Sequence, residues 1–220
     1  MSLRIDAAER GWLPELLLRL GIRRLLRQRL AEERAGGVES QARRLSERLE
    51  AMEHSPLALS PGAANEQHYE VPAEFFRLVL GPHLKYSAGL WPKGVATLGQ
   101  AEEAMLELTC RRAGIADGMS ILELGCGWGS LSLWIAERFP SCRVLAVSNS
   151  ALQRRFIESE REGRGLSNLE VVTADMNGFD PGGSFDRVVS VEMFEHMRNY
   201  EELLRRIAGW LRPDGKLFVH

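Results

Sequence analysis

One seven-residue run constrains this chain more than any other feature. Glu-Leu-Gly-Cys-Gly-Trp-Gly at residues 123–129 closes a short apolar stretch at 120–124 and opens a helical pattern at 130–139, which Pro140 stops. Gly125 and Gly127 allow a tight turn and close backbone approach to a ligand, where a Cβ would clash. The helix that follows aims its positive N-terminal end at the same place. A glycine triplet alone is a weak signal, but between a strand and a helix it reads as a ligand loop.

The same alternation continues downstream. Residues 143–147, 169–173 and 185–191 read as strands, and a fifth strand begins at 216–219. Helices are predicted at 151–162 and 200–211, and residues 212–215 (Arg-Pro-Asp-Gly) read as a turn. Strands alternating with helices imply an α/β, Rossmann-like fold with a doubly wound, mostly parallel sheet and right-handed crossovers. Sheets of this kind usually run through two further strands, so the reading expects the C-terminal strands to be missing from these 220 residues.

Ahead of the sheet the pattern is helical. Leu13, Leu16, Leu17, Leu20, Leu25, Leu26 and Leu30 recur at helical spacing, Gly36-Gly37 interrupts them, and a second helix is expected over 39–52. Residues 55–62, with two prolines and a glycine, read as a linker, so the expected division is 1–62 as a helical cap and 63–220 as the main domain. Helices are also expected at 72–80, with Phe75, Phe76 and Val79 on one side, and at 98–113.

Arg19, Arg23, Arg24, Arg27 and Arg29 crowd one helix. They suit either an anionic membrane surface or the solvated back of a helix packed on its own domain. The second is favoured. A net charge of −2 gives no electrostatic case for nucleic acid. No apolar run is long enough to span a bilayer, and the N-terminus lacks a signal-peptide pattern. Three scattered cysteines, Cys110, Cys126 and Cys142, suggest neither a disulfide framework nor a metal site. They read as reduced thiols of a cytoplasmic protein.

The ligand is narrowed by what is missing. A dinucleotide enzyme favours Gly-x-Gly-x-x-Gly and an acid about 20 residues on for the ribose. Here the spacing is Gly-x-Gly-x-Gly, with Glu123 just ahead, and Ser148-Asn149 with Gln153 stands where the acid would be. The expected cofactor is therefore S-adenosylmethionine, which has no pyrophosphate to cradle.

Several segments occur in an order that resembles a known superfamily. They are Asn-Glu-Gln-His-Tyr at 65–69, Leu-Gly-Pro-His-Leu-Lys-Tyr-Ser at 80–87, the loop at 123–129, Ser-Asn-Ser-Ala-Leu-Gln at 148–153 and Ser-Val-Glu-Met-Phe-Glu-His at 190–196. Together they resemble the cyclopropane-fatty-acid synthase superfamily, and within it the coclaurine N-methyltransferase-like branch. The resemblance covers residues 65–220. It implies that Tyr86 and Ser87 contact the methionine end of the cofactor and that Gly125 and Gly127 line it. Asn149 and Gln153 would serve the ribose, while Asp175, Met176 and Asn177 would border the adenine. Glu123 and Ser148 complete the expected cofactor set.

The pattern breaks at one position. Cyclopropane synthases of the superfamily carry a cysteine after the Tyr-Ser pair, where it helps to hold bicarbonate; here Ala88 stands there, and a second bicarbonate-associated position falls on His220.

Methyl transfer to an amine needs a free lone pair on nitrogen. Such a site needs carboxylates to attract the ammonium and a base to take its proton. Glu192, Glu195 and His196 follow the fourth strand, at the carboxyl edge where open α/β sheets place ligands. Glu192 and Glu195 are expected to hold the amine and His196 to act as base, although Glu195 could simply favour a helix start and His196 could be a surface histidine. Cys126 reads as a loop filler; Trp91 and Phe194 read equally as substrate lining or as packing. Three functions therefore stand: methylation of a small, alkaloid-like amine; modification of unsaturated acyl chains; and a non-catalytic binding protein with an exposed sheet edge. The first is favoured, with no metal, and a homo-oligomer stays open.

Overall fold

The structure is a computed structural model that describes residues 3–59 and 72–220. The Asn65–Tyr69 motif and the end of the expected linker, with its boundary at residue 62, lie outside the described residues. The chain divides into two compact units, Met1–Ala51 and Met52–His220.

The first unit is helical: α1 (Leu3–Glu9), α2 (Glu15–Arg34) and most of α3 (Gly37–Glu53). The expected break at Gly36-Gly37 is present, with both glycines at positive φ, and α3 starts two residues earlier than the pattern suggests. Arg44 bridges the break by donating to the carbonyls of Ala35 and Glu33. No residue of α2 is buried. Its surface carries i,i+4 ion pairs such as Arg19–Glu15 and Arg29–Glu33, each worth a few tenths of a kcal/mol (~0.3–0.5) at such exposure. No described helix is long and apolar enough to cross a membrane.

The second unit holds α4 (Ala73–Val79), α5 (Leu98–Ala113), β1 (Ser120–Leu124), α6 (Ser130–Arg138), β2 (Arg143–Ser148), α7 (Ala151–Gly163), β3 (Leu169–Thr173), β4 (Phe185–Ser190), α8 (Tyr200–Trp210) and β5 (Leu211–Val219). The strands form one sheet in the order β3-β2-β1-β4-β5, and every pair is parallel. The direction of winding reverses at β1. The carboxyl ends of β1 and β4 therefore face a crevice at the switch point, where open sheets of this class bind ligands.

Both faces of the sheet are covered, which explains why its strands read as apolar runs rather than alternating ones. Ile121, Val144, Ala146, Val171 and Val189 pack on one face with Leu106, Leu131, Trp134, Ile135 and Ile157. Leu122, Leu124, Val147 and Val188 pack on the other with Leu203, Ile207 and Trp210. Neighbouring positions alternate between faces, as the period of two requires. Each valine, leucine or isoleucine among them, fully buried, contributes roughly 1.5–3 kcal/mol.

Three expectations change. Residues 212–215 do not form a turn between helix and strand. β5 already pairs at Leu211 with Phe185 and resumes at Lys216 with Arg187, so they form a bulge in the strand, with Asp214 at φ 65°. The helix at 72–80 buries Phe76 but leaves Phe75 and Val79 half exposed; seven residues are too few turns to bury a full face. The described part of the expected linker is not loose. Leu57 and Ala58 are buried, because Asn177 exchanges hydrogen bonds with both the N–H and the carbonyl of Ala58.

Candidate functional site

Beside β1 and β4 lies a cavity of about 530 Å³. Its floor is the glycine loop. The N–H groups of Gly125 and Cys126 both donate to the Val147 carbonyl, at 3.0 and 2.9 Å, which folds the loop back over β2. Gly125 (φ 78°) sits where a Cβ would meet Met193 Cβ at 2.6 Å, whereas a Cβ on Gly127 (φ 53°) would meet nothing within 4 Å. One glycine is required by packing; the other keeps space open.

A second wall is the 80–87 loop, held by a residue the sequence reading did not single out. The buried Glu102 of α5 accepts from the backbone N–H groups of Gly81, His83 and Lys85, at 2.9–3.2 Å. This carboxylate also fits the turn sterically: a Cβ on Gly81 would fall 2.4 Å from it. Leu84 is held at φ 47°. Lys85, also unforeseen, is 5% exposed and lines the cavity, with its Nζ donating to Ser87 Oγ. Burial lowers its pKa, against the fields of Glu192, Glu123 and Glu102. A buried charge reveals itself only through partners distant in sequence, so periodicity carries no trace of either residue.

Glu123, next to last in β1, is buried and accepts from Ser132 Oγ. Burial pushes its carboxyl up to about 7, while Ser132 and Lys85 pull it back down. Cys126 is buried and its thiol is pushed well above the ordinary range by burial and by Glu123, which suits a filler and not a nucleophile.

The third wall comes from the end of β4. Glu192 sits at φ 52°, a conformation that costs a non-glycine residue on the order of 1–2 kcal/mol. A 3-10 turn, Phe194–His196, follows. Glu192, Glu195 and His196 all line the cavity and are all exposed. Strain of this kind collects at binding sites, and Leu84 and Glu192 both belong to this one.

Tyr86, Ser87, Glu123, Gly125, Gly127, Glu192, Glu195 and His196 are thus brought to one cavity. Ser148, Asn149, Gln153, Asp175, Met176 and Asn177 do not line it. Ser148 donates to Gln153 Oε1 at 2.7 Å, and both are buried at the start of α7. Gln153 Nε2 has no partner there, and the same holds for Trp128 Nε1 and Ser130 Oγ on the cavity wall. Asn149 is exposed. Asp175 Oδ1 accepts from the backbone and side chain of Asn177, Met176 is buried in the core, and Asn177 is committed to Ala58. Trp91 is exposed and Phe194 packs against Tyr200; neither lines the cavity.

Residues 60–220 match the sequence family described as mycolic acid cyclopropane synthetase. An (S)-coclaurine N-methyltransferase of Thalictrum flavum subsp. glaucum is 41% identical over 211 residues, which cover 96% of this chain and 58% of the relative. Among solved structures, a coclaurine N-methyltransferase bound to N-methylheliamine and SAH superposes with a TM-score of 0.85 at 39% identity, covering 97% of this chain and 62% of the other. A mycolic acid cyclopropane synthase complexed with SAH and CTAB gives 0.65 at 28% identity, over 71% and 55%. The chain spans about three fifths of the length of the curated N-methyltransferases it matches along most of its length.

Proposed function

Because the chain belongs to the mycolic acid cyclopropane synthetase family, we propose that it is an S-adenosylmethionine-dependent methyltransferase acting on a small, alkaloid-like amine. The observation that carries this reading is the placement of Glu192, Glu195 and His196 on one cavity with the glycine loop. Relatives named as coclaurine N-methyltransferases support the same acceptor class.

The residues present fit the cofactor. Open space beside Gly127 admits a ligand against the backbone. Gln153 Nε2, buried without a partner beside Ser148, offers a donor for a ribose hydroxyl. Ser130 Oγ and Trp128 Nε1 are further unmatched polar groups in the wall. Tyr86, Ser87 and Glu123 would hold the methionine end, Asn149 would help at the ribose, and Asp175, Met176 and Asn177 would border the adenine. S-adenosylmethionine supplies a methyl group on a sulfonium.

The protein's own residues prepare the acceptor. Glu192 and Glu195 attract an ammonium and orient its nitrogen toward the glycine loop. His196 takes the nitrogen's proton, leaving the lone pair free. Positioning of this kind is the largest contribution to a displacement reaction. Ala88, in place of the cysteine of cyclopropane synthases, counts against acyl-chain modification. The three buried free thiols fit a reducing compartment, the cytoplasm.

Methyl-labelled S-adenosylmethionine, offered with a pool of aromatic amines in one vessel and unsaturated phospholipid vesicles in another, tests the reading. Label on an amine nitrogen is expected. Label in acyl chains overturns the acceptor. In Glu195→Ala or His196→Ala, turnover should fall about 10²–10⁴-fold while the S-adenosylhomocysteine Kd stays unchanged; full activity in both variants rejects the assigned roles.

A further inference from the structure

Glu195 and His196 are presented to the cavity by backbone alone. Both side chains are exposed, and neither makes a hydrogen bond or ion pair among the described residues. Their placement depends on the Phe194–His196 turn, which has little to hold it from within. It buries none of its residues, and its N-cap, Met193, offers no side-chain acceptor. Two internal bonds close it, from the His196 N–H to Met193 and from the Met197 N–H to Phe194. A single 3-10 turn has poor hydrogen-bond geometry, so its direction needs support from outside.

Tyr200 supplies that support. Its hydroxyl donates to the Phe194 carbonyl at 2.9 Å, and its ring lies 6.2 Å from the Phe194 ring, tilted by 32°. Neither ring lines the cavity. Tyr200 is itself fixed, because it opens α8 directly after a residue tied to a distant stretch of the chain. Asn199 accepts from the Glu202 N–H and donates to the carbonyls of Glu53 and Ser55, at 2.7 and 2.9 Å. The neighbouring Arg198 N–H donates to the Leu57 carbonyl at 2.7 Å. Asn199 and Leu57 are both buried. A chain of contacts thus runs from the 53–58 stretch, through the start of α8, to the carbonyl that opens the turn.

From this geometry we infer that Tyr200 is a positioning residue: the bond from its hydroxyl to Phe194 fixes the direction in which Glu195 and His196 enter the cavity. The inference rests on the roles proposed above for those two side chains. It also gives Phe194 a place, as the anchor of the turn and not a wall of the cavity. The Tyr200 hydroxyl bond is open to solvent, so water can satisfy both groups once the bond is lost. The fold then survives, while the direction of the turn does not.

Tyr200→Phe removes one oxygen and keeps the ring, so it tests the inference directly, with two readouts. The first needs no acceptor. The imidazole carbon–proton NMR signal of His196, assigned by its loss in His196→Gln, should move in Tyr200→Phe, while the signals of the other histidines stay in place. The second uses tetrahydroisoquinoline, a small cyclic secondary amine, with S-adenosylmethionine. There kcat should fall roughly tenfold, between the worth of one net hydrogen bond and that of a misplacement of about 1 Å. The KM for S-adenosylmethionine should stay within about twofold, and the Tm should hold. An unmoved His196 signal, or cofactor affinity and Tm lost in step with turnover, overturns the inference. If Tyr200→Phe does not fold, Asn199→Asp, which keeps the α8 cap and loses both donations to the 53–58 stretch, is read on the same signal. Wild-type protein that methylates no amine defeats the proposed function, and the His196 signal still decides whether Tyr200 sets the turn.

Discussion

The N–H of Glu192 donates to the carbonyl of His220 at 2.8 Å, and His220 donates in turn to Ser190 at 3.0 Å. This carries the β4–β5 ladder one step beyond its last paired strand residues, Ser190 and Val219. The ladder thereby holds Glu192 at φ 52° and keeps its carboxylate on the cavity wall. Glu192→Ala and Glu192→Gly both remove the carboxylate and should both lose turnover. Their stabilities should differ: glycine adopts this φ freely, so it should exceed alanine by about 1 kcal/mol. Urea midpoints measure the difference, and an alanine variant as stable as the glycine one would remove the argument for strain.

The two loop glycines should separate folding from binding. In Gly125→Ala the new methyl meets Met193 at 2.6–2.7 Å, so overpacking adds to left-handed strain, at a cost of roughly 2–4 kcal/mol. Gly127→Ala has only the strain, about 1 kcal/mol, but its methyl enters the open space beside the loop. We expect Gly125→Ala to lower the Tm markedly, and Gly127→Ala to keep most of it while S-adenosylhomocysteine affinity falls about tenfold or more. Equal Tm losses in the two variants would contradict the assignment of separate roles.

Glu123 should give stability a pH dependence of unusual sign. Its pKa in the folded protein is raised to about 7 from an ordinary 4.5, chiefly by burial. Between those values the folded state binds the proton more tightly than the unfolded one. Stability from this group is therefore full below about 4.5 and declines as pH rises through 7, by roughly 3 kcal/mol in all. Glu123→Gln, neutral at every pH, should show a flatter profile and be at least as stable as wild type at pH 8. Parallel profiles for the two proteins across pH 5–8 would show that Glu123 is ionised throughout.

Much of this was legible in the sequence because it depends on local order. A glycine loop between an apolar strand and a helix announces itself in seven residues, and the carboxyl end of β4 follows from the alternation of elements. What was not legible depends on pairs far apart in the chain. Glu102 reads as one more acid on an amphipathic helix until the turn at Gly81–Lys85 comes down on it. Lys85 sits inside a recognised motif, yet nothing in the motif says that its side chain is buried. Asn177 is placed beside the adenine by resemblance, and nothing around it in the sequence shows that its amide also pairs with Ala58, 119 positions away. The bulge at 212–215 has every residue of a turn, and only the pairing of Leu211 with Phe185 shows that the strand has already begun.

The stretch from Glu53 to Ala58 owes its place to residues made much later. Asn177 holds Ala58 across 119 positions, and Asn199 holds the carbonyls of Glu53 and Ser55 across 146 and 144. On a ribosome adding about 5–20 residues per second, these six residues emerge on the order of ten seconds before their last partner. Leu57, buried at the end, belongs to a core cluster whose other buried members, from Leu122 to Trp210, are all made after it. The nascent chain must keep this piece in solution until those later residues arrive, and a chaperone that recognises short apolar segments would find it there.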